Sequence, residues 1–156
     1  MAGSQDIGGM TASHVQKAAA AIGGSFLVAG ILGFIPGVTT NYDDMTIAGH
    51  ESGALLLDTF QVSILHNAVH ILFGVVGLAM ARTWSGARTF LLGGGVLYLA
   101  LWVFGLIVAD EPNNTNFVPL NDADNWLHLG LGALMVLVGL ALGTKKAGQL
   151  PTSPEP

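Results

Sequence analysis

Residues 62–81 read VSILHNAVHILFGVVGLAMA, a run with no Asp, Glu, Lys or Arg. Its length matches the roughly 20 apolar residues that a helix needs to cross the hydrocarbon core of a bilayer. Yet His66, Asn67 and His70 stand in its first half. An imidazole or a carboxamide costs free energy in hydrocarbon unless a partner satisfies it, so polar residues in a membrane helix face other protein or carry function. The stretch therefore sets the fold and marks the side chains on which a function would rest.

The rest of the chain agrees with a membrane setting. Of 156 residues, 51% are hydrophobic and 10% are charged, whereas a soluble domain carries about 25% charged residues; mean hydropathy is +0.61. Besides 62–81, apolar windows cover 18–38, 90–109 and 126–143. They predict an all-α, four-transmembrane-helix bundle over residues 18–143, between a polar N-terminal segment (1–17) and a disordered polar tail (144–156). Nothing before Lys17 resembles the apolar core of a signal peptide, so the first span is expected to stay in the mature protein. The 22 glycines suit closely packed membrane helices. With no cysteine there is no disulfide, no thiolate metal site and no cysteine nucleophile, and a net charge of −5 argues against nucleic acid as a partner.

Charge placement gives the orientation. Lys17, Arg82, Arg88, Lys145 and Lys146 all flank one side of the bundle, while Asp43, Asp44, Glu51, Asp58, Asp110, Glu111, Asp122 and Asp124 occupy the other. The positive-inside rule then puts both termini in the cytoplasm and both acidic loops outside. In the first outer loop, ESGALLLDTF (51–60) is apolar enough for a short interfacial helix or an early extension of the second span. The second, DEPNNTNFVPLNDADN (110–125), is dense in turn formers. Trp84 and Trp126 fall near opposite interfaces, where tryptophan anchors helices. His14 and His50 lie in polar segments and are read as solvated.

Spans two and four share a pattern. Asn67, His70 and Gly74 recur as Asn125, His128 and Gly132 at identical spacing, in two helices that run the same way. This describes a parallel repeat of two helical hairpins, related by a pseudo-two-fold axis along the membrane normal. Residues three and four apart share a helix face, so each trio forms one stripe expected to face the bundle interior. A glycine one turn deeper than each histidine lets a neighbouring helix or a flat ligand come close.

The runs FQVSILHNAVHILFGVVGLA and PLNDADNWLHLGLGALM resemble the signature segments of a family of small four-helix membrane proteins, common in actinobacteria and classed as a domain of unknown function. The resemblance implies an integral four-helix architecture in a bacterial plasma membrane. It supplies no activity, cofactor or catalytic residue.

The side chains themselves support several readings. In the simplest, Asn67, His70, Asn125 and His128 form a polar cluster that fixes helix register, and the protein is a structural or accessory component. It would need no cofactor, and its partners would be the bilayer and a larger membrane complex or further copies of itself. A sharper reading is a metal site built from His66 and His70, one turn apart, with His128, and with Asp58 and Asp124 as further ligands or as partners holding a ring tautomer. Alternatively His70 and His128 are axial ligands of a b-type haem, with Gly74 and Gly132 leaving room for the macrocycle. Proton or small-solute transport is weaker, because the inner halves of spans two and four hold no polar path. No nucleophile and base are placed together for catalysis. Tyr98 and Trp102, one turn apart in span three, can wall the histidine stripe.

Overall fold

The computed structural model describes residues 12–108 and 120–143. Four helices, α1 (His14–Leu32), α2 (Ile64–Met80), α3 (Trp84–Val108) and α4 (Asp122–Leu142), form an all-α bundle. Three of them are long and apolar enough to cross a membrane. The fourth, α2, has 17 residues, at the lower limit of about 17 for a span. Lys145, Lys146, Asp110, Glu111, the expected disorder of 144–156 and the N-terminal residues 1–11 lie outside the described residues.

Local chemistry moves the ends of the apolar windows. The first helix stops at Leu32, short of the expected 38, because the Thr39 hydroxyl donates to the carbonyls of Leu32 and Gly33 and satisfies oxygens that a helix end leaves open. At the other extreme α4 starts four residues before its apolar window. Asn121 and Asp124 form a reciprocal capping box there, in which each side chain accepts from the other's backbone N–H. Ser63 caps α2 by accepting from the His66 N–H.

The loop between α1 and α2 corrects the sequence reading. Residues 51–60 form no helix; they belong to a three-stranded antiparallel sheet of β1 (Thr39–Thr40), β2 (Leu55–Leu56) and β3 (Phe60–Gln61). Leu56 pairs with Thr39 on one side and Phe60 on the other. Leu57 and Asp58 take left-handed backbone angles, φ 53° and 56°, and so turn β2 back into β3 instead of continuing a helix. Ala54, Leu56 and Val62 pack beneath this cap against Ala29, Leu32 and Val38.

Helix pairing follows the hairpins. The closest packing is α1 on α2 and α3 on α4, with lesser contact between α1 and α3, and α2 and α4 are not extensively packed on each other. In the first hairpin a Cβ on Gly74 would come within 2.5 Å of the Leu27 backbone nitrogen and 2.8 Å of the Gly23 oxygen. In the second, a Cβ on Gly132 would stand 2.9 Å from the Leu99 nitrogen and 3.0 Å from the Gly95 oxygen. The two seams use matching atoms of matching residues, and the repeat extends beyond what α2 and α4 reveal: Gly23, Phe26, Leu27 and Gly33 of α1 recur at the same spacing as Gly95, Tyr98, Leu99 and Gly105 of α3. At the opposite end from the cap, the Gln16 side chain donates to the Arg82 carbonyl, tying the start of α1 to the α2–α3 turn.

These seams give a sharp expectation. Gly74→Ala and Gly132→Ala place a methyl group against backbone and should each cost about 1–3 kcal/mol, read as a lower melting temperature of the detergent-solubilised protein. Gly130→Ala, where a Cβ meets nothing within 4 Å, should leave melting unchanged or raise it.

Candidate functional site

Between the helices and beneath the cap lies a cavity of about 510 Å³. Its polar lining comes from His66, Asn67 and His70 of α2, Tyr98 of α3, and Asp124 and His128 of α4. The two predicted stripes therefore do turn inward, and the structure brings four of the five suggested metal ligands to one cavity. Asp58 is the exception. It lies on the exposed edge of the cap, where its carboxylate accepts from the Thr40 hydroxyl.

The histidines are held by rings. His70 packs on Phe26 at 5.6 Å, Phe26 on Tyr98 at 5.1 Å, and Tyr98 on His128 at 5.1 Å between ring centroids. This chain of four rings has the pseudo-symmetry of the fold: Phe26 and Tyr98 occupy equivalent positions of α1 and α3 and meet at the axis, each carrying on its other side the histidine of its own hairpin. His66 stacks on His70 with ring centroids 4.5 Å apart and planes 15° from parallel. Such tilted and edge-on pairs contribute about 0.5–1.5 kcal/mol each beyond burial. Phe26 escaped the sequence reading, which had no reason to compare α1 with α3.

Hydrogen bonding defines what the site can offer. The Nδ1 of His70 lies 3.0 Å from the His66 carbonyl; a carbonyl only accepts, so Nδ1 carries the proton and Nε2 of the neutral ring is an acceptor. His128 is only 4% exposed and its Nδ1 is buried without a hydrogen-bond partner. Asp124 is committed: its Oδ2 accepts from the N–H groups of Gln61 and Asn121, both at 3.1 Å. It clamps β3 of the cap to the start of α4, reinforced by the Asn121 side chain donating to the Thr59 carbonyl at 2.7 Å.

Three parts of the sequence reading change here. Gly74 and Gly132 leave no room for a macrocycle, because the backbones of α1 and α3 fill the space above them. Asn67 and Asn125 do not join the histidines in one polar network. Their carboxamides lie where Gly33 and Gly105 would otherwise carry side chains, Asn67 donates to the Met45 sulfur, and the Asn125 oxygen has no partner. Among the described residues no three His, Asp or Glu side chains stand together in a group able to hold a metal ion. The near-parallel stack of His66 on His70 accounts for part of this, since ring lone pairs lie in the ring planes and parallel planes do not converge on one ion.

With the four helices, their cap and the inward polar stripes in view, the family can be stated. Residues 16–141 match the model of a domain of unknown function, DUF4383. The chain belongs to that family. No curated protein and no solved structure matches it. The matched segment begins in the first turn of α1 and ends at the last turn of α4, so the cap, the cavity and both hairpins of this DUF4383 chain lie inside the family's domain.

The Asp124 clamp is open to a direct test. Asp124→Ala leaves two part-buried backbone N–H groups without their partner and should cost about 1 kcal/mol or more, with faster amide hydrogen exchange at Gln61 and Asn121. Asp58→Ala, at the exposed edge, should change neither.

Proposed function

We propose that this protein is a non-enzymatic accessory component of a bacterial plasma membrane, with both termini in the cytoplasm, and that it binds a small apolar ligand in the cavity beneath its outer cap. The observation that carries this reading is the cavity itself, walled by His66, His70, Tyr98 and His128 and reaching inward from the flank of the bundle. A ligand bearing one hydrogen-bonding group would find the imidazoles of that wall as partners, with about 0.5–1.5 kcal/mol for one hydrogen bond. The volume of about 510 Å³ falls within the roughly 300–1,000 Å³ usual for small-molecule sites.

The absence of an activated nucleophile along the described cavity wall supports a binding role. Ser25, the aliphatic hydroxyl among the described lining residues, donates back to the Ala21 carbonyl of its own helix. Orientation rests on the charges: Lys17, Arg82 and Arg88 gather at the end where α1 begins and α2 turns into α3, whereas the acidic cap sits at the other.

Two measurements test the reading. Single cysteines introduced into 110–119 of this cysteine-free chain should react with a membrane-impermeant thiol reagent in intact cells, while one beside Arg88 should not; the reverse pattern overturns the orientation. Native mass spectrometry of the detergent-purified protein should show a bound small molecule that is lost when Gly24, an open position on the cavity wall, is changed to Leu. A Soret band or a stoichiometric metal in the purified protein would replace this reading with a cofactor site at His70 and His128.

A further inference from the structure

Resting on that reading, we propose that the cavity takes a flat, uncharged lipid with an oxygen-bearing head of the quinone class, entering sideways from the bilayer between α1 and α4. The direction of entry follows from the lining. Ala21, Ser25 and Val28 of α1 and Leu127 of α4 belong to the wall and are also exposed on the flank of the bundle, so the mouth opens toward the surface that lipid covers in a membrane. A ligand arriving there is lipid-soluble.

Charge restricts the head. Among the described residues no Lys or Arg lines the cavity, so a phosphate finds no cation there. The one carboxylate among the described lining residues, Asp124, is buried and already accepts two backbone N–H groups, so an ammonium finds no free anion among them. What remains is neutral hydrogen bonding, at the imidazoles and at the Asn67 carboxamide and Tyr98 hydroxyl beside them. His70 presents an acceptor, since its Nδ1 proton is spent on the His66 carbonyl. His128, with nothing bound to Nδ1, is not fixed in one tautomer, so its other ring nitrogen can either accept or donate. A head whose oxygen is a carbonyl in one form and a hydroxyl in the other matches that pair. The polar end of the wall is formed from the rings of His66, His70, Tyr98 and His128, whose faces favour a planar partner.

The second half of the repeat shows that the opening is specific to one side. Where α1 has Gly24 and Ser25, α3 has Val96 and Leu97 at the equivalent positions; where α4 has Leu131, α2 has Phe73. The Phe73 ring packs on Phe26, Phe90 and Tyr98 and reaches Gly94. The groove between α2 and α3 is thus filled by a ring, and its counterpart between α1 and α4 is widened by smaller residues. A Cβ on Gly24 would meet nothing within 4 Å.

The test uses the full chain in detergent, with a naphthoquinone bearing a short isoprenoid tail as the probe. The wild type should show a saturable rise in melting temperature. His128→Leu removes the imidazole and should weaken binding about tenfold, the loss of one buried hydrogen bond. Gly24→Leu should abolish the shift, and Gly130→Leu, an equally open glycine outside the cavity wall, should retain it. An equal shift in Gly24→Leu, an equal shift with the isoprenoid hydrocarbon lacking the head, or displacement of the probe by phosphatidylglycerol at equal concentration would overturn the proposal. If the quinone gives no shift while a co-purified mass is still lost in Gly24→Leu, the ligand class fails and the binding role stands. If both are missing, both fail.

Discussion

Backbone meets backbone at Gly23 and Gly74 in one hairpin and at Gly95 and Gly132 in the other, and every other feature of the molecule depends on that approach. Apolar helices gain little from burying apolar surface against one another in lipid, so close van der Waals packing at small residues has to hold them together. Once α1 lies against α2 at this distance, Phe26 is brought beside His70; the same approach of α3 to α4 sets Tyr98 beside His128. The rings of Phe26 and Tyr98 then join the hairpins across the pseudo-two-fold axis. The cavity is the space that this geometry leaves on one side and fills on the other.

Much of the architecture can be read from composition and period. Apolar length gives the four helices, and the paired Asn–His–Gly stripes give the direction in which α2 and α4 face. The chain writes the other half of the repeat just as clearly, as Gly23–Phe26–Leu27–Gly33 against Gly95–Tyr98–Leu99–Gly105. That half is hard to see because glycine, leucine and aromatics are the ordinary material of a membrane helix, whereas asparagine and histidine are not. The cap is illegible for a different reason: Leu57 and Asp58 adopt left-handed angles without a glycine to announce the turn, so an apolar stretch that suits a helix becomes a hairpin.

The site was partly legible. Spacing placed His66, His70 and His128 on inward faces, and they line one cavity. Spacing could not tell what occupies the next position along each stripe. Asn67 and Asn125, which sequence groups with the histidines, act by shape against Gly33 and Gly105. Asp124 and His66 stand at equivalent places in the two hairpins and have diverged completely. One is a carboxylate that secures the cap, the other an imidazole stacked on its neighbour. Duplicated scaffolds preserve seams, where backbone contact tolerates no change, and diverge where side chains meet a space.

The cap, although it follows α1 in the chain, is fastened to α4: Gln61 and Thr59 bond to Asp124 and Asn121. During synthesis the first hairpin and the whole of 39–61 leave the ribosome before α4 exists. The roof of the cavity consequently cannot be latched until the last helix has entered the membrane. A chain stalled after α3 would hold His66 and His70 under an unfastened cap, so completion of the fourth helix is the step at which the roof is secured.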